Sequence, residues 1–288
     1  MAKVLLEYCP AVLKRQLDGE RRTTKAMDAG SLVDFVLFKR TDRFEVVDAR
    51  YKSGPRQGEP AADWTCGEAR EQAEEIRARG LLPVLECELD AAEEEAAPIR
   101  KRLDELVGGN TLLEQPKLEW ISALGIECEG TPDAVIVEHS AGVRLLTVVD
   151  IKRTDQRLKK LQRQVYEMGW DIQASAYEEG ALYCERQLGG PDDIVLYQKH
   201  IILTVDGVAP PCARELEPFY REIGRRRWEK AQRIFKECVD SDNWPGYPER
   251  SIETPYYIVR STERGDDGHE QRNPDGSRYF ISAEDIEP

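Results

Sequence analysis

Long apolar runs are missing from this sequence. The most apolar stretches, Leu145 to Val149 and Ile201 to Val205, fall far short of the roughly 20 residues a bilayer-spanning helix needs. Paired cysteines are missing as well. The seven cysteines, at 9, 66, 87, 128, 184, 212 and 238, are odd in number, widely spaced and form no CxxC. That argues against a disulfide framework, a structural zinc site and a four-cysteine iron–sulfur pattern, and favours reduced thiols. His139, His200 and His269 show no ligand spacing. The opening Met-Ala-Lys-Val-Leu-Leu-Glu places an acid where a secretory leader would continue its apolar region, so a cytoplasmic protein without a membrane partner is expected. A basic balance is absent too: the net charge of −14 disfavours a protein that coats nucleic acid over its whole surface.

What the chain does have is enough length, 288 residues, and enough apolar content, 40%, for a core. Its charge is unevenly spread. Acids gather between Glu86 and Glu95. Lys152, Arg153, Arg157, Lys159, Lys160 and Arg163 form a basic island whose only acid is Asp155, and Arg225 to Arg227 form a second. Such runs are ordinarily solvated helix faces, and Arg225 to Arg227 are expected on the outer face of the last helix.

Periodicity and punctuation predict helices over Pro10 to Leu17, from a cap at Thr23 or Thr24 to about Phe38, and over Gly67 to Arg79. A further helix is expected over Ala91 to Val107, with Pro98 as a break or first turn. Lys52 to Asp63 reads as a loop and Leu81 to Leu85 as a short strand. Lys117 to Ser122, Ile126 to Cys128, Asp133 to Glu138 and Arg144 to Ile151 read as an antiparallel strand meander. A helix over Leu158 to Leu188, bent near Gly169 or Gly180, a strand or strand pair over Ile194 to Val205, and a helix over Arg214 to Val239 follow. The expectation is an α/β protein with a mixed central sheet flanked by helices: one domain over 1–259 and a polar tail over 260–288.

The chemistry is concentrated between Glu129 and Tyr177. Gly130-Thr131-Pro132-Asp133 opens one strand, and the next ends in Asp150-Ile151-Lys152. Residues two apart in a strand share a face, so Asp150 and Lys152 project together, and Asp133 reaches them if the register allows. Two carboxylates and an ammonium at the end of an apolar sheet are costly unless they share a cation. Oxygen donors of this kind suit Mg²⁺ or Mn²⁺. Phosphodiester hydrolysis uses such a group, with the lysine orienting water, stabilising developing charge or accepting a proton. Gln173 and Tyr177, four apart on a helix, share a face that can turn toward the same spot.

Pro132-Asp133, Asp150-Ile151-Lys152 and Gln173-xxx-Tyr177 together resemble the PD-(D/E)xK nuclease superfamily with its RecB-type QxxxY extension. The closer resemblance is to the nuclease domain of exodeoxyribonuclease VIII-type phage recombination exonucleases, and more distantly to lambda exonuclease. It is dense only over residues 125–181 and extends weakly from Tyr8 to Val259. The resemblance implies a restriction-endonuclease-like core and a Mg²⁺-dependent exonuclease that digests duplex DNA from an end. It further implies a homo-oligomer that works beside a single-strand annealing protein. Asp133 and Asp150 would be metal ligands, with the Ile151 carbonyl as a third donor and Lys152 as a catalytic residue. Gln173 and Tyr177 would support the site and the DNA backbone. Apart from the resemblance, Arg153, Arg157, Lys159, Lys160 and Arg163 lie between the strand and this pair, where an anionic backbone would pass. Asp34 stands where that group carries a histidine ligand, and Glu114 and Glu119 compete for a glutamate that precedes the PD pair. Two other readings stand beside this one: a catalytically silent nuclease fold that binds DNA or partners, and an endonuclease on the same fold.

Overall fold

The fold is described from a computed structural model covering residues 2–19, 25–140, 142–188 and 194–247, without the side chains of 25–29. Helix α1 (Ala2–Glu7) leads into α2 (Pro10–Leu17), which starts on a proline whose missing N–H costs nothing in a first turn. Helix α3 (Lys25–Leu37) follows; the expected caps Thr23 and Thr24 lie outside the described residues. After strand β1 (Phe44–Val46) comes the expected loop, then α4 (Gly67–Ala78), β2 (Leu82–Val84) and α5 (Glu86–Val107). Strands β3 (Thr111–Glu114), β4 (Leu118–Ile121), β5 (Glu127–Gly130), β6 (Ala134–Ser140) and β7 (Val143–Arg153) precede α6 (Leu158–Glu167) and α7 (Trp170–Leu188). Strands β8 (Ile194–Val205) and β9 (Cys212–Glu215) then lead to α8 (Pro218–Ser241).

Several boundaries differ from expectation for identifiable reasons. Helix α5 begins five residues before Ala91 and runs unbroken through Pro98. The proline ring is exposed, while Ala92, Ala96, Ile99 and Leu103 bury a continuous stripe on both sides of it. That burial outweighs the roughly 3 kcal/mol a mid-helix proline costs. The helix predicted over Leu158 to Leu188 is two helices, divided at Gly169, whose φ of +72° suits glycine. The last helix starts at Pro218 rather than Arg214. Pro218 pushes Glu217 out of helical geometry, and the residues before it form β9 instead.

A five-stranded mixed sheet, ordered β3-β6-β7-β8-β9, forms the centre, with β7 and β8 parallel and the other pairs antiparallel. This is the expected α/β architecture. The meander is not continuous, however. Strands β4 and β5 pair only with each other, and β1 with β2. The β4–β5 ribbon leaves the sheet to cover α7. A Cβ on Gly180 would stand 2.8 Å from the Trp120 ring, and one on Gly130 2.9 Å from the Tyr177 ring.

Among the described residues, 25–225 form one compact unit and 2–19 with 226–247 another. In the larger unit, Leu32, Val33, Ile99 and Leu103 from α3 and α5 pack on Ile136, Val149, Ile201 and Leu203 of the sheet. Leu161, Val165, Trp170 and Ala174 from α6 and α7 pack around Ile202, which faces the opposite way. In the smaller unit Leu5, Leu13 and Ala231 form the centre, with Phe235 edge-on to Trp244 at 5.8 Å. Arg227 is buried there and reaches Glu7 at 3.4 Å, so it does not lie on an outer face as the sequence suggested. The expected domain end at 259 and the tail over 260–288 lie outside the described residues. Among the described residues no helix is long and apolar enough to cross a membrane.

Two glycines separate packing from propensity. A Cβ on Gly224 would fall 2.1 Å from the Asp171 carbonyl oxygen, whereas one on Gly30 would meet nothing within 4 Å. Gly224→Ala therefore lowers stability in urea unfolding by about 1–3 kcal/mol. Gly30→Ala raises it by about 0.5–1 kcal/mol, because alanine loses less entropy in a helix. Equal effects from the two would contradict this packing.

Candidate metal and phosphodiester site

Strand β7 is buried from Leu146 to Asp150 because helices cover both faces of the sheet at its centre. That burial carries a carboxylate, Asp150, into the interior at only 3% exposure. Alternation sends Ile151 toward the α3–α5 core. Asp150 and Lys152 face the other way, toward α6 and α7. Strand β6 pairs Ala134 with Val149, so the next step of the register sets Asp133 across from Asp150. The Ile151 N–H donates to Asp133 Oδ2 at 2.6 Å, which fixes the start of β6 against the end of β7.

From there the polar contacts form a closed path. Lys152 Nζ lies 2.6 Å from Asp150 Oδ2 and donates to Gln173 Oε1 at 2.9 Å. Gln173 Nε2 donates to the Tyr177 hydroxyl at 2.9 Å. Tyr177 in turn donates to the Thr131 carbonyl at 3.1 Å, inside the turn that carries Asp133. The structure therefore brings Asp133, Asp150, Lys152, Gln173 and Tyr177 together. The Trp170 ring also lies beneath the Lys152 ammonium, its centroid 5.8 Å away.

Asp34 joins this group from α3. Burial raises its carboxyl to about 6; Lys152 pulls the value down and Asp150 pushes it up. Burial and then Asp150 hold Asp133 well above the ordinary carboxylate range, with Asp34 adding to the rise and the Ile151 N–H and Lys152 opposing it. Burial also lifts the Tyr177 phenol to about 12, so Tyr177 stays a donor at neutral pH. Asp150 Oδ2 is buried without a well-directed hydrogen bond, even beside Lys152.

A divalent cation fits this donor set. Three acids, Asp34, Asp133 and Asp150, crowd one another around a single ammonium. Among the described residues no three His, Cys, Asp or Glu side chains stand in ligand positions together. Mg²⁺ needs fewer: it is held through one or two carboxylates together with water and substrate phosphate, and Asp133 and Asp150 would be those carboxylates.

The other candidates divide. Glu114 pairs with Arg100, and β3 sets it across from Ala134, next to Asp133. Glu119 lies on the separate ribbon and pairs with Lys117 at 2.5 Å. The basic island lies at the end of β7 and on α6, largely exposed, but it is not free positive charge. Arg153 pairs with Glu95 (2.8 Å), Arg157 and Lys160 with Asp155 (2.5 and 3.7 Å), and Arg163 with Glu167 (2.6 Å), while Lys159 is exposed. The Arg157 hydrogen bonds hold Asp155 down to about 2. Arg153 and Glu95 also border a cavity of about 610 Å³ between α3, α4, β2 and α5.

Sequence reasoning set His200 aside for lack of ligand spacing and passed over Tyr197. His200 is fully buried on β8, and desolvation lowers its imidazole to about 4 against the pull of Asp150. Tyr197 OH lies 3.2 Å from His200 Nδ1. Burial raises the Tyr197 phenol, so it keeps its proton.

The Asp34 shift has a measurable consequence. Between the ordinary value of 3.8 and about 6 the folded protein binds more protons at this carboxyl than the unfolded chain does. Stability tied to Asp34 is therefore complete below pH 4 and is lost as pH rises toward 6. In chelator, Asp34→Asn flattens the fall in melting temperature across that window; an unchanged slope would contradict the assigned burial.

No family model and no curated protein matches the chain. Among solved structures, the chain is similar to a provisionally designated exonuclease from Eubacterium rectale, at 18% identity and TM-score 0.47, over 88% of this chain and 86% of that one. It is also similar to the protein SSO0001, at 12% identity and TM-score 0.27, over 77% of this chain and 89% of that one.

Proposed function

We propose that this chain is a Mg²⁺-dependent nuclease that hydrolyses phosphodiester bonds of duplex DNA from its ends. The observation that supports the reading most is the closed path from Asp150 through Lys152, Gln173 and Tyr177 back to the Asp133 turn. Two acids and an ammonium at the end of an apolar sheet are costly to bury unless they share a cation. A bound Mg²⁺ would supply an activated water and neutralise charge on the phosphate.

The side chains have distinct tasks in this reading. Asp133 and Asp150 hold the cation. The Ile151 N–H fixes Asp133 in the orientation that leaves its other oxygen for that purpose. Lys152 is held at two points as a donor, to Asp150 and to Gln173, which suits it to stabilise the charge that builds on the phosphate. Gln173 and Tyr177 set the lysine's position rather than touch the reacting atoms. Arg153, Arg157, Lys159, Lys160 and Arg163 form the rim along which an anionic backbone would run, exchanging carboxylate partners for phosphates. By the same resemblance the enzyme serves phage-type recombination as a homo-oligomer in the cytoplasm, supplying single strands to an annealing protein.

The silent-fold reading is favoured by one observation: among the described residues no three acidic or imidazole ligands are assembled. Digestion of linear duplex DNA with Mg²⁺ separates the two. Asp133→Ala and Lys152→Ala each cut the rate by about 10²–10³-fold. Gln173→Ala, acting through Lys152, costs about 10–100-fold. Closed circular DNA stays intact. Linear DNA left undigested by the wild type, or variants as active as the wild type, would contradict the enzyme; cleaved circles would make it an endonuclease.

A further inference from the structure

Strand β8 carries an irregularity beside the site that the nuclease reading leaves unused. It pairs Leu146 with Tyr197 but Thr147 with Lys199, so Gln198 is an extra residue against β7. In a regular strand, residues three apart face opposite ways. The bulge cancels that alternation and puts Tyr197 and His200 on one face. The same register pairs His200 with Val148 and Ile202 with Asp150. Ile202 packs among the α6 and α7 side chains, so His200 lies on the Asp150 side of the sheet, diagonally next to it. Tyr197 is held from its other side: the Arg221 guanidinium stacks 4.7 Å from its ring and pairs with Glu178 at 3.0 Å.

One buried polar atom in this patch, His200 Nε2, stands without a hydrogen bond, while Asp150 Oδ2 has the Lys152 ammonium at 2.6 Å. An unpaired ring nitrogen is costly in a protein interior and calls for an explanation. A carboxylate has room for further donors, so the two groups are chemically complementary. Tyr197 keeps its hydroxyl proton and can donate it to His200 Nδ1. A neutral imidazole that accepts at Nδ1 must carry its own proton on Nε2.

We propose that Tyr197 and His200 form a positioning relay for Asp150: Tyr197 fixes the Nε2–H tautomer, and that N–H restrains the Asp150 carboxylate through one buried water. His200 is a positioning residue; it touches neither substrate nor cation. The relay sets the angle at which Asp150 presents its other oxygen, as hydrogen-bonded outer partners do for metal-binding carboxylates. The claim rests on Asp150 being a metal ligand, but the tautomer can be read without any metal.

The test has two arms. The chain has three histidines, so the ¹⁵N imidazole spectrum of labelled protein is simple, and the signal lost in His200→Gln identifies His200. At pH 7 that signal is expected to report a neutral ring protonated on Nε2, and Tyr197→Phe to erode the preference. A ring protonated on Nδ1 in the wild type overturns the relay. The second arm is calorimetric titration with Mn²⁺. His200→Leu, which keeps bulk but has no donor, is expected to weaken binding by about tenfold. His200→Gln, whose amide can place an N–H at the same point, is expected to stay close to the wild-type affinity. Urea unfolding of both variants confirms that they are folded. Equal Mn²⁺ affinity in the Leu and Gln variants overturns the relay. A wild type that binds no Mn²⁺ overturns the metal site itself, and the tautomer arm then decides the relay alone.

Discussion

The structure is organised around one expensive placement, the Asp150 carboxylate at the centre of a sheet covered by helices on both faces. Taking a carboxylate from water into a protein interior costs several kcal/mol even after relaxation, and a single ion pair repays this only with good geometry and further hydrogen bonds. Lys152 supplies the pair at 2.6 Å. The surrounding architecture then serves to keep Lys152 there: Gln173 takes one of its donors, Tyr177 holds Gln173, and the Thr131 carbonyl holds Tyr177. The strand that brings the acid in and the helix that holds its partner are thus tied to the turn that carries the second acid.

An apolar pair would hold such a sheet together as well or better, so the ion pair is poor evidence for a stability role. Its retention with two further carboxyls pushed upward, Asp34 and Asp133, makes sense when positive charge beyond Lys152 is to arrive. In the proposed reading a divalent ion supplies that positive charge without further packing. The exposed basic rim shows the complementary pattern. Its arginines already have acids, so the overall charge of −14 and a local anionic ligand are compatible.

How much of this was legible in the sequence follows from the range of each signal. The faces of β7 and α7 come from spacings of two and four residues, so the Asp150–Lys152 and Gln173–Tyr177 pairs could be read directly. The meeting of Asp133 with Asp150 depends on the register between β6 and β7, which the sequence left conditional and which the Ala134–Val149 pairing places. Strands β1, β3 and β9 escaped because three or four residues carry too little periodicity to distinguish from loop. The Pro218 start was written in the residues but outweighed by the amphipathic pattern that precedes it. His200 was invisible for a different reason. Its link to Tyr197 needs a bulge at Gln198, and strict alternation hides what a bulge brings together. Likewise the Arg153–Glu95 pair joins residues far apart in sequence, so a basic run that looked free is partly neutralised.

The account stands or falls on whether the ends of β6 and β7 bind one divalent ion. The most direct measurement is an anomalous difference map from crystals soaked in Mn²⁺. The account predicts a single strong peak shared by the carboxylates of Asp133 and Asp150, absent in crystals of Asp150→Asn. A map with no peak there, or with manganese bound only at surface acids such as those of α5, would contradict it.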